Sequence, residues 1–341
     1  MEKKRLSIVV PVYNEEDNLH HFYEAVRQTM AGLDLDWEII FVDDGSRDKS
    51  RAILAKLERE DARVQPMLLA RNYGHQIALT CGLDHADGDV VITMDGDMQH
   101  PPKLIPELLK YWREGCDVVQ TIRDATRDAS WLKRTTSAGY YKFLNLISEV
   151  PVQPGGSDFR LMDRKAVLAF RRYREHARFI RGLIGAMGFR QKQLHFTAPP
   201  RFAGSSKFSP RKMWRLAVDG VFTCSTFPLR LGLYFGMASL FASICLFLHV
   251  LYETFVREDT AAGWPTIMAC LLFFGGMQLL ILGIIGEYLG RTYEETKRRP
   301  LYLLARGKPE DLAHGLDDEA AASAIAMANE SAEEPEPAHE S

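Results

Sequence analysis

The sequence predicts an α/β fold built on a mostly parallel sheet and followed by a membrane hairpin. Short Val- and Ile-rich runs alternate with helix-period segments up to about residue 125, and those runs are apolar almost throughout, as in a sheet covered on both faces. Two segments nearer the C-terminus, Leu231 to Tyr252 and Pro265 to Gly286, run 22 residues each without a Lys, Arg, Asp or Glu. At about 1.5 Å per residue each is long enough to cross a hydrocarbon core of about 30 Å.

In order, "LSIVVPVY" (6–13), "WEIIFVD" (37–43), "VQPMLLA" (64–70), "DVVITMD" (89–95) and "DVVQTI" (117–122) read as strands. Segments 15–31, 48–60, 74–86 and 102–114 have helical spacing, and "PPKLIPELLKYW" puts its prolines where a first helical turn tolerates them. After residue 125 the alternation weakens. Residues 130–149 and 208–230 read as amphipathic helices rich in aromatic and basic residues, a composition suited to a membrane surface. The linker between the two apolar segments has one basic residue against three acids, whereas Arg230 and Arg291, Lys297, Arg298 and Arg299 flank their outer ends. By the positive-inside rule both ends of the hairpin, and with them the N-terminal domain and both termini, face the cytosol. The domain plan is therefore 1–207, an α/β domain; 208–230, a juxtamembrane helix; 231–290, two spans (231–252 and 265–286); 291–308, a basic cytosolic segment; and 309–341, a tail too poor in apolar residues to fold.

The formal charge of −3 conceals an uneven distribution. Residues 309–341 carry ten acids and no Lys or Arg, leaving 42 basic residues against 35 acids in residues 1–308, a balance of +7. The five cysteines have no C-x-x-C spacing, so neither a zinc site nor a disulfide framework is expected. The apolar run after the charged N-terminus ends at "YNEED", too soon for the core of a secretory signal.

The strand ends carry the chemistry. They read "YNEE", "DDGS", "ARNYG", "DGDMQ" and "TIRD", and ligands of open α/β sheets gather beyond the carboxyl ends of strands. In "MDGDMQHPP", Asp95 and Asp97 repel each other unless a cation lies between them, and Mg2+ or Mn2+ is the simplest compensation. A second acidic pair, Asp43 and Asp44, ends another strand. Together the pairs suit a nucleoside diphosphate. There is no G-x-x-x-x-G-K-[ST] and no G-x-G-x-x-G after the first strand, which argues against a P-loop enzyme or a dinucleotide dehydrogenase.

"SIVVPVYNEEDNL", "FVDDGSRDKS", "ARNYGHQIALTCGLDHADGDVVITMDGDMQHPP", "GGSDFRLMDR" and "RFAGSSKF", followed by two apolar segments, resemble the inverting family 2 glycosyltransferases that attach a sugar to a polyprenyl phosphate. Bacterial bactoprenol glucosyltransferases and dolichyl-phosphate mannose synthases are among them. The resemblance covers roughly residues 5–300 and implies a GT-A, Rossmann-like catalytic domain. It implies nucleotide-sugar contacts from Pro11, Tyr13, Glu15, Val42, Asp43, Asp44, Asp95, Gly96 and Arg123, and a metal held by Asp97 and Gln99. Taken alone, Tyr13 and Val42 read equally well as core residues and Gln99 as a helix-capping amide.

"RFAGSSKF" matches the family's R-x-x-G-x-S-K, so Arg201, Ser206 and Lys207, with Arg134, are implied to bind the lipid phosphate. Asp97 and Asp158 are implied to be catalytic. Asp158 matches the acid proposed as general base in relatives, yet a phosphate monoester has a second pKa near ~6 and arrives largely ionised, so a positioning role stays open. His100 reads as a polar loop residue without a role. Gly96 stands where the family usually has alanine.

The implied partners are a nucleoside-diphosphate sugar, UDP-linked by preference, a polyprenyl phosphate and the bacterial inner membrane. A homo-oligomer is expected and a nucleic-acid partner is not. Glucose is the favoured sugar, with mannose, N-acetylglucosamine or a modified arabinose as alternatives. A processive polysaccharide synthase would carry Q-x-x-R-W and more spans; a membrane scaffold without activity would not keep Asp43, Asp44, Asp95, Asp97 and Gln99 together.

Overall fold

A computed structural model of the protein describes residues 3–124, 139, 146–147, 156–197, 225–252 and 263–306. Arg134, Arg201, Ser206 and Lys207 lie outside the described residues, as do the acidic tail and almost all of the two amphipathic segments. The chain divides into two compact units.

The larger unit is an eight-stranded sheet in the order β7-β5-β6-β4-β1-β2-β3-β8. β1 (Arg5–Val12), β2 (Asp36–Asp43), β3 (Val64–Leu69), β4 (Val90–Thr93) and β5 (Val118–Arg123) fall on the five runs read from the sequence. β1 pairs in parallel with β2 and with β4, and β2 with β3. The chain thus runs outward from β1 through β2 to β3, then returns to the other side of β1 for β4. That reversal opens the crevice in which α/β sheets bind ligands.

Helices cover both faces. α1 (Leu19–Met30) buries Leu19, Phe22, Tyr23, Val26 and Met30, a helical stripe of apolar spacing. Truncating a residue such as Phe22, which is fully buried, costs about 3–5 kcal/mol. α2 (Ser50–Glu60) follows β2, and α4 (Ile105–Arg113) begins after a proline-led 3-10 turn. α3 (His75–His85) differs, because every residue from Ala78 to His85 is buried. It lies so close to the sheet that a Cβ on Gly82 would stand 2.2 Å from a Val9 methyl carbon.

The remaining strands were not read from the sequence. β6 (Gly156–Asp163) is antiparallel to both β4 and β5, with Thr93 opposite Arg160. This direction brings the start of β6, Gly156 to Arg160, to the carboxyl end of β4. α5 (Arg164–Phe170) and α6 (Ile180–Ala186) follow, and β7 (Gln191–Phe196) closes one edge beside β5. At the other edge β8 (Leu304–Arg306) pairs antiparallel with β3. The basic segment after the apolar helices therefore returns to the sheet, and Tyr302 buries its ring there with its hydroxyl donating to Asp84 at 2.9 Å.

The smaller unit contains α7 (Phe227–Tyr252) and α8 (Trp264–Thr296), which cover the two charge-free segments. Their large apolar side chains face outward: Leu233, Phe241, Leu271, Phe273 and Leu279 are all more than half exposed. Among the described residues one stretch, Phe273–Thr296, is long and apolar enough to cross a membrane.

Candidate active site

The loops after β1 and β2 are tied to each other. The Asn14 amide donates to Ser46 Oγ at 2.9 Å, the Arg47 amide to Asn14 Oδ1 at 2.8 Å, and the Glu15 amide to Ser50 Oγ at 3.0 Å. Asn14 adopts a left-handed conformation, φ 54°, to make this turn. Glu15 uses its carboxylate to accept from Asn18 Nδ2 at 2.7 Å, and Tyr13 is 36% exposed at the end of β1. Pro11 and Val42 face each other across β1 and β2 in the buried sheet, and the structure does not bring the Val42 side chain to the surface.

Asp43 and Asp44 are both buried. Asp43 accepts from Arg51 Nε at 2.7 Å and from the Ser46 amide. Asp44 accepts from the amides of Tyr73 at 2.6 Å and Gly74 at 2.9 Å, and so clamps the loop that leads into α3. Burial pushes the Asp44 carboxyl above the usual carboxylate range, although the two amide hydrogen bonds favour the ion. Gly74 has φ +97°, a conformation that a side chain would strain, and it sets His75 at the first position of α3.

The loop after β4 is pinned by His100. Its Nδ1 accepts from the Asp95 amide at 2.8 Å, which leaves its hydrogen on Nε2 to donate to Ser157 Oγ at 2.6 Å. The ring stacks on Phe159, 5.3 Å between centroids, and meets Phe196 edge-on. His100 is 7% exposed, so the sequence reading of an idle polar loop residue is corrected: an imidazole between two aromatic rings and two polar partners belongs to the interior.

Within that loop Met98 is left-handed, φ 62°, between Asp97 and Gln99, both half-buried. Asp97 Oδ1 accepts from the Gln99 amide at 3.1 Å, and Arg123 at the end of β5 donates to Gln99 Oε1 at 3.2 Å. Asp95 Oδ1 is buried with no hydrogen-bond partner. A Cβ on Gly96 would meet only a Val10 methyl carbon at 3.4 Å, so the departure from alanine changes little here.

A carboxylate and an amide oxygen on one turn are hard ligands that fit Mg2+ or Mn2+. No group of three or more His, Cys, Asp or Glu gathers as a metal cage among the described residues. An ion held by Asp97 and Gln99 would complete its shell from outside the protein, as Mg2+ commonly does with water and phosphate oxygens.

β6 brings Asp158 to the same end of the sheet. Its carboxylate, 6% exposed, accepts from Arg160 at 2.7 Å and from Arg181 of α6 at 3.1 and 3.2 Å, and lies 3.3 Å from His75 Nε2. Burial alone would raise its pKa, but the Arg181 charge, the His75 hydrogen bond and the Arg160 charge hold it well below the usual carboxylate range. Burial lowers the Arg160 guanidinium to about 10 despite Asp158. His75 is 43% exposed at its side chain and also stands 3.6 Å from Asp95 Oδ1. Desolvation disfavours its charged form, but the Asp158 hydrogen bond and the charges of Asp95 and Asp158 outweigh it and raise its pKa. No sequence pattern singled out His75; only the antiparallel return of β6 places the acid beside it.

Acids, amides and guanidinium groups thus converge at the carboxyl ends of a mostly parallel sheet, beside its reversal point, as in α/β enzymes that act on nucleotides. Residues 7–170 match the profile of glycosyl transferase family 2, and residues 227–292 match that of the GtrB C-terminal hairpin. An uncharacterized glycosyltransferase of Synechocystis sp. is 41% identical over 300 residues, which cover 88% of this chain and 94% of that one. The bactoprenol glucosyl transferase of Shigella phage SfV is 38% identical over 307 residues (89% and 99%), and the prophage bactoprenol glucosyl transferase homolog of Escherichia coli is 36% identical over 304 (89% and 99%). Among solved structures, mannosyl-3-phosphoglycerate synthase from Rubrobacter xylanophilus superposes with a TM-score of 0.47 at 18% identity, over 63% of this chain and 71% of that one. The chain belongs to the family 2 glycosyltransferases and is a transferase with a GT-A-like α/β domain.

Proposed function

We propose that the protein transfers glucose from a nucleoside-diphosphate sugar, UDP-glucose by preference, to a polyprenyl phosphate with inversion at the anomeric carbon. The observation that carries this reading is near-full-length similarity to relatives named bactoprenol glucosyl transferases. The grouping of Asp95, Asp97 and Gln99 after β4 with Arg123 from the end of β5 supports it.

Asp97 and Gln99 would hold Mg2+ or Mn2+, whose charge would offset that of a leaving diphosphate. Arg123, already drawn to Gln99, adds a cation beside the same diphosphate. Asp95 Oδ1, which accepts no hydrogen bond and faces His75 at 3.6 Å, offers an acceptor to a hydroxyl of the donor. Tyr13 contributes an exposed ring at the end of β1, while Pro11, Glu15, Val42, Asp43 and Asp44 shape the nucleotide side chiefly through the loops they hold together. Arg134, Arg201, Ser206 and Lys207 bind the acceptor phosphate in this reading.

Asp158 acts by position rather than by taking a proton. Both of its oxygens are occupied by Arg160, Arg181 and His75, and they hold it ionised and weakly basic. The acceptor phosphate, with its second pKa near ~6, needs no base at neutral pH. Alignment and charge neutralisation carry the rate.

The two apolar helices cross the bacterial inner membrane as a hairpin, with the catalytic domain and both termini in the cytosol. The match to a hairpin profile and the basic residues at the outer ends of the helices support this arrangement. The chains assemble as a homo-oligomer. Purified protein incubated with polyprenyl phosphate and UDP-glucose, GDP-mannose, UDP-N-acetylglucosamine and a UDP-linked modified arabinose tests the reaction by product mass. A hexosyl product from UDP-glucose is expected; no lipid-linked sugar from any donor overturns the reading.

A further inference from the structure

We propose that His75 is a positioning residue for sugar transfer, bridging Asp158 and Asp95 from the first turn of α3 and fixing the separation of these two acids. The inference rests on the glycosyltransfer reading and deepens it. His75 Nε2 is 3.3 Å from Asp158 Oδ2 and 3.6 Å from Asp95 Oδ1, so one nitrogen faces both carboxylates. Arg160 and Arg181 hold Asp158, and the Arg160 charge also reaches Asp95; His100 accepts from the Asp95 amide and lies 3.6 Å from Asp95 Oδ2. Asp95 Oδ1 is buried without a hydrogen bond, and His75 stands just beyond hydrogen-bonding distance of it.

The placement of His75 is itself built in. Asp44, at the end of β2, accepts from the two amides that precede His75, and Gly74 supplies the left-handed turn into α3. One strand-end acid therefore anchors the loop that places the bridge between two others. Removing the bridge leaves Asp158 with Arg160 and Arg181 but takes from Asp95 the group that faces its Oδ1, so the Asp95 carboxylate is free to shift relative to Asp158. A displacement of about 1 Å at a reacting centre lowers turnover by up to about a hundredfold.

The test compares wild type, H75A, H75L and H75Q in steady-state transfer to polyprenyl phosphate, with thermal melts alongside. H75L fills the space without a donor and stands in for H75A if that variant unfolds; H75Q restores a donor near the Nε2 position. Expected are a fall in kcat of about tenfold to a hundredfold for H75A and H75L, a donor KM within about threefold of wild type, and recovery of most of kcat in H75Q. Wild-type kcat in H75L, a loss confined to KM, or equal losses in H75Q and H75L overturn the proposal. Absence of transfer by wild type overturns the glycosyltransfer reading and this inference with it; active wild type beside unaffected H75L overturns this inference alone.

Discussion

Asp43–Asp44 and Asp95–Asp97 begin as the same feature, two acids ending an apolar strand, and the fold uses them in opposite ways. The first pair is turned inward: Asp43 is satisfied by Arg51 and a backbone amide, and Asp44 by two further amides. The second pair stands half-buried, with an oxygen of Asp95 that accepts no hydrogen bond among the described residues and faces only the His75 ring at 3.6 Å. A strand-end carboxylate with all its acceptors filled is scaffold, and one with an orphan acceptor is prepared for a ligand. The nucleotide contacts implied for Asp43 and Asp44 therefore pass through the loops they hold.

This contrast is broken most directly at Asp97. D97A is expected to lower transfer by about a hundredfold or more, while its melting temperature stays within about 2 °C, because a half-buried carboxylate is not part of the packing. Radiolabelled sugar transfer and calorimetry on the same preparation check both halves. D44A should do the reverse first: two partly buried amides lose their acceptor, at about 2 kcal/mol in all, which lowers the melting temperature of the larger unit by roughly 4–8 °C. If D44A melts like wild type but no longer binds UDP, the two pairs are equivalent and the distinction is wrong.

H100A loosens the second pair without removing either acid. It leaves the Asp95 amide and the Ser157 hydroxyl unpaired and takes a ring from Phe159 and Phe196, for a loss of about 2 kcal/mol in stability. Its kcat should fall less than that of D97A, and a denaturant melt paired with kinetics separates the two effects. The smallest effect concerns pH. Asp44 has a folded pKa above its unfolded one, so the stability this carboxyl contributes is complete below the ordinary carboxylate range and is lost as pH rises through the folded value. D44N does not titrate there, and the stability gap between wild type and D44N should narrow as pH rises. A gap that widens over that range would mean the amides favour the ion more than burial opposes it.

Much of the architecture was legible because it is local. β1 to β5 and α1 to α4 announce themselves through apolar runs and helical spacing, which any window of the chain displays. β6, β7 and β8 do not, because pairing partners far away in sequence make them strands. β8 is three residues long and joins β3 only after the chain has passed through both apolar helices. Of the site, Asp95, Asp97, Gln99 and Arg123 were legible and are brought together. His75 and His100 were not: both lie inside the quoted stretches, but no spacing or charge pattern in the sequence gives either a partner.

Composition and periodicity alone dictate an α/β body, two long apolar helices and acids at the strand ends, because burial and backbone geometry act residue by residue. Tertiary structure alone decides which acids are scaffold and which await a ligand. That choice depends on hydrogen-bond donors from other elements: Tyr73 and Gly74 reaching Asp44, Arg181 reaching Asp158, and His75 standing between Asp158 and Asp95. Such donors are separated from their acids by up to 83 positions in the chain, as His75 is from Asp158, and only the packed fold brings them together.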